Sequence, residues 1–416
     1  MDKVLLKIGY NTSVQILGKV FSVTLSIVTI GFLTRYLGTS GYGDFTLVFA
    51  YMAFFAVIAD FGMQLTMVRE LAGKSEGLQK LYGTYFWLKI ILVLLSTFLA
   101  FVFLIFFPYS LMLKTAILIG GLAVGASGLT GYGTTIFQSK VRLDLVTFVD
   151  VLTKIVTVSL IALFIFLGLG FYSIISTVLL GNLVGLGITI GLLRKDINFS
   201  FNLDRNLARK IFVLSLPIGF TSLFSLVYFK LDTIILSVVR DASEVGIYSL
   251  AYKILENIIV IWGFYMASVF PLLSRYKAEN EKGKFNNLFR NSFFIAAVLS
   301  FLIVPISYVF APLIINIFAG EGFSGSITAF RILIFAVPLL FLNNILYYRF
   351  LIKRNMLPVT ASLIAALIFN FVANIVYVPK FGYVASSYIT VLTELFLFSI
   401  LFSIIYLQNY RRNGSA

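Results

Sequence analysis

The chain has 416 residues, of which 60% are hydrophobic and 12% are charged, and its mean hydropathy is +1.01. It contains no cysteine, which excludes disulfides, thiolate metal sites and thiol nucleophiles, and no histidine, which removes the usual proton relay and the commonest metal ligand. The net charge of +15 does not require a nucleic-acid partner, because most of the excess basic residues lie in short loops between apolar segments.

Twelve apolar segments follow one another along the chain, and each is long enough to cross a bilayer, which takes roughly 20 residues of helix. They cover about residues 9–34, 43–66, 82–107, 113–137, 145–168, 171–193, 208–237, 244–270, 288–314, 325–352, 357–378 and 382–407. The first contains Lys19 and is longer than the apolar core of a secretory signal peptide, so no cleavage is expected. The sequence therefore predicts an all-α polytopic membrane protein with twelve transmembrane helices.

The lysines and arginines of the loops fall almost entirely on alternate loops. The loops after even-numbered segments carry most of them, whereas the opposite loops hold only Arg35, Lys114, Arg240 and Lys380. Because basic residues are retained at the cytoplasmic face, this bias predicts a cell-membrane protein with both termini in the cytoplasm. A miscounted segment would disturb the alternation, so the bias also favours the number twelve.

The two halves of the chain resemble each other. Residues 43–47 (Gly-Asp-Phe-Thr-Leu) parallel residues 246–250 (Gly-Ile-Tyr-Ser-Leu) at matching positions after a predicted helix. Chance similarity between apolar helices is the alternative. A duplication predicts two six-helix lobes that enter the membrane in the same direction, related by a pseudo-two-fold axis along the membrane normal, with a cleft between them. The predicted domains are an N-terminal lobe at 1–193, a cytoplasmic linker at 194–207 and a C-terminal lobe at 208–416.

A stripe of polar residues follows one face of the first predicted helix. Its members recur at intervals of three or four residues: Asn11, Gln15, Lys19, Ser22 and Ser26. That spacing keeps them on one face of a helix. A stripe of this kind facing lipid would be costly, so we expect it to face protein or water. The two alternatives are the lining of a cleft and a buried hydrogen-bond network.

Charged residues inside later helices occur close together, as Asp150 with Lys154, Lys230 with Asp232, and Lys253 with Glu256. The first and third pairs have the spacing of neighbours on one helix face, whereas the second does not. With Lys19, these lysines lie at several depths of the membrane, which suits a ligand whose anionic group, such as phosphate, travels between leaflets. Structural ion pairs are the alternative. Lys89 lies nearer a helix end and is expected to snorkel to the membrane surface.

Prolines are concentrated in the second half of the chain. Only Pro108 of the eight lies in the first half, and Pro217 falls inside the seventh predicted helix. A proline inside a helix removes a backbone hydrogen bond and favours a kink. We predict Pro217 as a hinge; a static kink is the alternative.

Two short motifs lie in the first part of the chain, one after the first predicted helix and one at the end of the second. Residues 35–43 read R-Y-L-G-T-S-G-Y-G, and residues 60–63 read D-F-G-M and are followed by Arg69-Glu70. In this order they resemble the loop and helix-end motifs of Wzx-type polysaccharide flippases, which belong to the MOP (MATE-like) superfamily. Pro217 and Pro271 also resemble family positions. The resemblance covers nearly the whole chain.

The resemblance implies a flippase, and not an enzyme, for cell-surface polysaccharide synthesis. Its cargo would be a polyprenyl-pyrophosphate-linked oligosaccharide, moved from the inner to the outer leaflet by alternating access, with basic cavity residues on the pyrophosphate. Arg35 and Asp60 match motif residues. The candidate substrate-binding residues are Asn11, Gln15, Lys19, Arg35, Lys154, Lys230 and Lys253, and the candidate coupling or charge partners are Asp60, Asp150, Asp232 and Glu256.

The expected partners are this lipid-linked glycan and membrane lipids, with no nucleic acid, and the expected state is a monomer. No metal or cofactor is expected, and a coupling ion, Na⁺ or H⁺, is left open. The alternative function is a cation-coupled multidrug exporter on the same scaffold. An exporter of cations needs an acidic cavity, whereas bases outnumber acids inside the predicted helices. A membrane enzyme would need acid–base or metal groups near a surface, often on long outer loops, and these loops are short.

Overall fold

A computed structural model describes residues 2–71, 77–194, 203–352 and 356–413 of the chain. It describes side chains from Val14 to Leu407 within those ranges, apart from Ile16, Ile261, Ala267, Pro271 and Glu321. The described residues form α-helices and one 3-10 turn, with no strand among them. The helices are α1 (Asp2–Asp60), α2 (Met63–Leu71), α3 (Leu78–Leu104), α4 (Leu111–Ser139), α5 (Leu143–Phe166), α6 (Phe171–Leu193), α7 (Arg205–Val239), α8 (Ala242–Ala278), α9 (Lys282–Val309), α10 (Ala311–Ala319), α11 (Ser324–Leu333), α12 (Ala336–Ile352) and α13 (Leu357–Asn413).

Two of these helices contain a break at a glycine. Gly38 in α1 has φ 65° and ψ −172°, and Gly382 in α13 has φ 57° and ψ −142°. Glycine adopts such a positive φ at little cost because it has no Cβ. Gly38 lies between the first and second predicted helices, and Gly382 lies at the start of the twelfth. Each of the two long helices therefore contains two predicted segments.

Nine helices of the described chain are long and apolar enough to cross a membrane, or ten if the bent pair α11 and α12 forms one span. The predicted all-α, multi-pass architecture is confirmed. Because two of the nine helices contain a glycine break, the number twelve and the symmetry of the lobes stay predictions. The ninth predicted segment ends earlier than expected, since α10 begins at Ala311 with Pro312 in its first turn, where the missing N–H has no helical partner to lose.

The chain divides into two compact units, Met1–Lys230 and Leu231–Ala416. The boundary lies inside α7 and not in the predicted linker at 194–207, of which residues 195–202 lie outside the described chain. The first part of α7 therefore belongs to the first unit, and its last part belongs to the second.

Asp204 fastens the beginning of α7 to the first unit. Its carboxylate accepts a hydrogen bond from the N–H of Leu207 at 2.9 Å, and its own N–H donates to the hydroxyl of Thr84 in α3 at 3.2 Å. Lys80, also in α3, forms an ion pair with the Asp204 carboxylate. The hydrogen bond from Lys80, with that from Leu207, holds the pKa of Asp204 below its ordinary value. These contacts explain why the unit boundary lies beyond the predicted linker.

Each unit has a core of its own. In the first, α2, α3 and α4 bury Met63, Met67 and Tyr85 among other large side chains. In the second, the Trp262 ring of α8 stacks on Phe341 of α12, with ring centroids 4.6 Å apart. Close packing of large and small side chains, rather than exclusion of apolar surface from water, holds helices together inside a bilayer.

Candidate functional site

The polar face of α1 meets α5 in the first unit. Ser22 is buried, and its hydroxyl donates to Asp150 Oδ2 at 2.9 Å. The same Asp150 oxygen lies 3.5 Å from Lys154 Nζ, so the predicted pair is present. The hydrogen bond between Ser22 and Asp150 joins two helices, as expected for a buried polar stripe. The Lys154 side chain, in contrast, is 35% exposed. The stripe is therefore part protein contact and part accessible surface.

Lys19 and Gln15, which precede Ser22 on α1, have exposed side chains. Lys19 forms no ion pair with any residue that the structure describes. The side chain of Asn11, the first member of the predicted stripe, lies outside the described residues. An unpaired ammonium inside a membrane-spanning helix is costly, and such groups usually face a ligand path or water. Ligand binding at Lys19 and Lys154 stays a prediction.

Arg35 lies at the end of the first part of α1, one turn before the break at Gly38. Its side chain is exposed, and Nη1 donates to the carbonyl of Gly31 at 3.1 Å. The next residue, Tyr36, donates its hydroxyl to the carbonyl of Leu169 at 2.8 Å, after α5. The motif of residues 35–43 therefore forms the break between two helical parts and an anchor to a neighbouring turn.

Asp60 ends α1 and binds Lys89 of α3. Lys89 Nζ lies 2.7 Å from Asp60 Oδ1, and the lysine is only 2% exposed. The prediction that Lys89 snorkels to the membrane surface is wrong, because its ammonium is turned inward to this carboxylate. The motif aspartate bonds a neighbouring helix, which is one of the roles that its sequence context allows.

The residues after Asp60 break the helix and pack on α7. Phe61 has φ 39° and Gly62 has φ 76°. A Cβ on Gly62 would lie 2.7 Å from the backbone nitrogen of Gly219, so only glycine fits there. The Phe61 ring lies 5.4 Å from the Phe220 ring, in an edge-to-face contact. The turn between α1 and α2 therefore lies against α7 beside Pro217, whose role as a hinge stays a prediction.

Asp232 is the centre of a buried polar cluster in the second unit. It is 5% exposed, and Oδ2 accepts hydrogen bonds from the hydroxyls of Tyr248 at 2.9 Å and Thr390 at 2.8 Å. Oδ1 accepts from Asn374 Nδ2 at 2.7 Å. No lysine or arginine pairs with this carboxylate in the described part of the chain. Three donors from α8 and α13 thus surround a buried carboxyl group that has no protein cation.

The cluster extends along α13. Asn374 Nδ2 also approaches Asn370 Oδ1 at 3.1 Å, and the hydroxyl of Ser386 donates to Asn374 Oδ1 at 3.3 Å. The sequence identifies Asp232 as a candidate but not Thr390 or Ser386, since serine and threonine are frequent in transmembrane helices. Within the described residues, no group of three or more acidic side chains could hold a metal ion.

Tyr248 is a buried member of this cluster. A tyrosine near the start of a membrane-spanning helix is typical of an interfacial aromatic belt, but Tyr248 is 1% exposed and its hydroxyl donates to Asp232. Its ring stacks on that of Tyr252, with centroids 5.7 Å apart. Tyr248 therefore belongs to the buried cluster and not to an aromatic belt, because the sequence gives its position along α8 but not the neighbours that bury its side chain.

The remaining predicted lysines lie on α7 and α8. Lys253 Nζ forms the predicted pair with Glu256 at 2.8 Å and stays 44% exposed. Lys230 is half-buried at the end of the first unit, whereas Asp232, two residues later, is buried. The expected difference in face between Lys230 and Asp232 is therefore present.

Comparison with known proteins identifies similar sequences over most of the chain. The profile of a family described as "polysaccharide biosynthesis protein" matches residues 8–277, and the MatE profile matches residues 217–376. The probable low-salt glycan biosynthesis flippase Agl15 of Haloferax volcanii is 23% identical over 392 residues, which cover 91% of this chain and 79% of the relative. A putative O-antigen transporter of Shigella flexneri is 21% identical over 335 residues, covering 78% of this chain and 79% of that protein.

Two solved structures have the same fold. The lipid II flippase MurJ in an inward closed conformation has a TM-score of 0.73 at 15% identity, over 93% of this chain and 86% of MurJ. An inward-facing multidrug resistance MATE transporter of the MOP superfamily has a TM-score of 0.76 at 15% identity, over 93% of this chain and 95% of the transporter. At this identity the likeness concerns the fold alone.

Proposed function

The chain belongs to the polysaccharide biosynthesis protein family, and from this premise we propose that it is a flippase that moves a lipid-linked glycan across a membrane. Its sequence relatives, which align with most of its length, are named as a glycan biosynthesis flippase and an O-antigen transporter. It is a multi-pass membrane protein and a transporter rather than an enzyme.

In detail, the proposed cargo is an oligosaccharide joined through pyrophosphate to a polyprenyl lipid. The observation that carries this choice is the exposure of Lys19 and Lys154 within membrane-spanning helices of the first unit. A lysine at the centre of a membrane helix, as Lys154 is in α5, costs about 2.5–3.5 kcal/mol on insertion scales, and such residues usually have a function. A pyrophosphate is the anion that two accessible ammonium groups at different depths would bind in turn.

A multidrug exporter on the same scaffold is a weaker alternative. The likeness to MATE transporters concerns the fold, whereas the sequence relatives are named as a glycan biosynthesis flippase and an O-antigen transporter. An organic cation would also be repelled by accessible lysines, and the carboxylates beside Lys154 and Lys253 are already paired. The basic loops further support a place in the cell membrane with both termini in the cytoplasm. We propose that the protein works as a monomer without nucleic acid or a bound cofactor.

Replacing Lys19 or Lys154 with alanine tests the cargo. Loss of one charge-assisted contact to pyrophosphate, about 1.5–3 kcal/mol, should lower the rate of flipping by about tenfold or more. Flipping is measured in proteoliposomes with a fluorescent polyprenyl-pyrophosphate glycan that a reagent in the outer medium quenches. Lys277→Ala, an exposed lysine at the end of α8, is the matched control and should flip at the wild-type rate. Wild-type rates in both test variants would contradict the cargo assignment.

We propose that Asp232 couples transport to a cation, H⁺ or Na⁺. A carboxylate that is buried in a membrane-spanning segment without a protein cation is stable only when a proton or a bound cation neutralises it. The oxygens of Asp232, Thr390 and Asn370 are ligands that a hard monovalent cation accepts, and the carboxyl group is also able to hold a proton. Coupling to either ion requires an ionisable carboxyl group at residue 232.

Asp232→Asn should uncouple transport. The amide keeps the size of the carboxyl group but removes its charge, so we expect flipping that no longer responds to an imposed Na⁺ or pH gradient, while the protein still inserts. The measurement is the flipping rate with and without each gradient. Asp241→Asn is the control. Asp241 caps the beginning of α8, and asparagine caps a helix about as well as aspartate does. A gradient response of wild-type size in Asp232→Asn would refute coupling at this site.

A further inference from the structure

An apolar groove opens on the first unit beside the polar stripe of α1. Its volume is about 650 Å³, which lies within the roughly 300–1,000 Å³ of ligand pockets. Its walls come from the beginning of α1, one face of α5 and Leu192 of α6. The apolar side chains of the walls include Val14, Leu17, Phe148, Val151, Leu152 and Ile155.

The groove is as long as one leaflet is deep. On α5 it extends from Asp144, in the first turn, to Ile155. At about 1.5 Å per residue this is about 16 Å, or about half of the roughly 30 Å hydrocarbon core of a bilayer. In the orientation proposed above, α5 begins at the cytoplasmic face. The groove then runs from that face to the middle of the membrane.

A cation lies beside the cytoplasmic part of this groove. Gly18 lines the groove and packs so closely on Thr147 that a Cβ has no room, and Lys19 is the next residue. The Lys19 side chain is exposed, and no carboxylate pairs with it among the residues described here. Lys154, one turn beyond Asp150 on α5, provides a second ammonium group deeper along the same helix pair. The α1–α5 pair thus has an apolar groove on one face and two cations on the next.

We propose that this groove binds the isoprenoid chain of the lipid carrier while Lys19 binds its pyrophosphate. The proposal rests on the proposed function, which supplies a cargo with one long apolar chain and one anionic group. Because lipid tails are as apolar as the groove, burial alone would not favour the carrier over a phospholipid. Selection comes from the joint fit of the chain to the groove and of the doubly charged group to Lys19. The groove would keep the chain on the first unit as the pyrophosphate passes from Lys19 towards Lys154.

Photocrosslinking tests where the chain binds. The full chain is reconstituted in vesicles of zwitterionic phospholipid with a polyprenyl pyrophosphate that carries a diazirine in its isoprenoid chain, and adducts are mapped by mass spectrometry. We expect adducts between Phe148 and Ile155. Unlabelled polyprenyl pyrophosphate should compete for them at least about tenfold better than the uncharged polyprenol, and Lys19→Ala should remove that difference. Equal labelling by a diazirine phospholipid, undiminished by polyprenyl pyrophosphate, would show that ordinary lipid fills the groove.

A matched pair of substitutions tests whether the groove takes part in transport. Leu152→Trp fills the groove, whereas Leu163→Trp makes the same change on α5 at a residue that is exposed outside it. We expect Leu152→Trp to lower both the adduct yield and the flipping rate by about tenfold, equivalent to about 1.4 kcal/mol, and Leu163→Trp to leave both unchanged. Val151→Phe replaces Leu152→Trp if the latter does not fold, as judged by thermal unfolding.

The outcomes separate this inference from the proposed function. If the wild type flips the glycan lipid and the groove-filling variant does so equally fast, the groove has no part in transport and the flippase assignment stands. If the wild type binds polyprenyl pyrophosphate in the groove but flips no lipid-linked glycan, the proposed function fails.

Discussion

Gly62→Ala should strongly lower the stability of the protein. The residue has φ 76°, where an L-amino acid is strained by roughly 1–2 kcal/mol. The new methyl group would also lie 2.7 Å from Ile218 Cβ and 2.8 Å from the Ser215 carbonyl oxygen, and overpacking of this kind costs about 1–3 kcal/mol. Both effects together predict a loss of about 2–5 kcal/mol.

Gly168→Ala separates these two effects. Gly168, in the turn after α5, has φ 67°, and a Cβ added there meets nothing within 4 Å. It therefore has the strain of a positive φ without the clash. The measurement is the apparent melting temperature of the purified protein in detergent, followed by loss of monodisperse protein in size-exclusion chromatography. Gly62→Ala should melt several degrees below Gly168→Ala. Equal melting temperatures would mean that the turn after α1 does not pack on α7 as described.

Asp60→Asn should have the second large effect, because it leaves the Lys89 ammonium buried without a countercharge. Removing one partner of a buried ion pair costs about 3–5 kcal/mol. Lys89→Met should cost less, since the Asp60 side chain is 33% exposed and is able to reach water. The double variant Asp60→Asn/Lys89→Met should recover much of the loss, because it removes both charges. The readout is again the apparent melting temperature, with the double-variant cycle giving the coupling energy.

Lys253→Met is the matched control for the buried pair. Lys253 makes an ion pair of similar length, 2.8 Å to Glu256, but its side chain is 44% exposed. Exposed pairs contribute about 0–1 kcal/mol, so the control should melt close to the wild type. If Asp60→Asn melts no lower than Lys253→Met, or if the double variant is as unstable as Asp60→Asn, then the Asp60–Lys89 pair is not the buried contact inferred here.

The ion pairs show where sequence reasoning succeeds. Asp150 with Lys154 and Lys253 with Glu256 are separated by one turn of a single helix, so the spacing alone predicts that they meet, and they do. Asp60 and Lys89 are 29 residues apart on different helices. Helical periodicity gives the face of each residue but not the helix that the face meets. Lys89 therefore could not be distinguished from a snorkelling lysine.

The cluster around Asp232 shows the same limit more strongly. Its partners Asn374 and Thr390 follow 142 and 158 residues later. Asp232, Asn370 and Asn374 are polar residues inside predicted apolar segments, and this signal is visible in the sequence alone. Nothing in the spacing of Tyr248 or Thr390 distinguished them from the other hydroxyl groups of their helices, because hydrogen bonds across helices leave no periodic pattern.

The sequence by itself determined that the chain is all-α and crosses a membrane repeatedly, because roughly 20 apolar residues are what a bilayer requires of each helix. It also placed a break between residues 34 and 43 and indicated the glycan flippase family, since both depend on short local motifs. The tertiary structure decided which charges are buried and which remain accessible: Lys89 is paired inside the first unit, while Lys19 is open beside an apolar groove. The reason is physical, because the cost of a charge depends on the groups around it in space, and these come from helices that are distant in the chain.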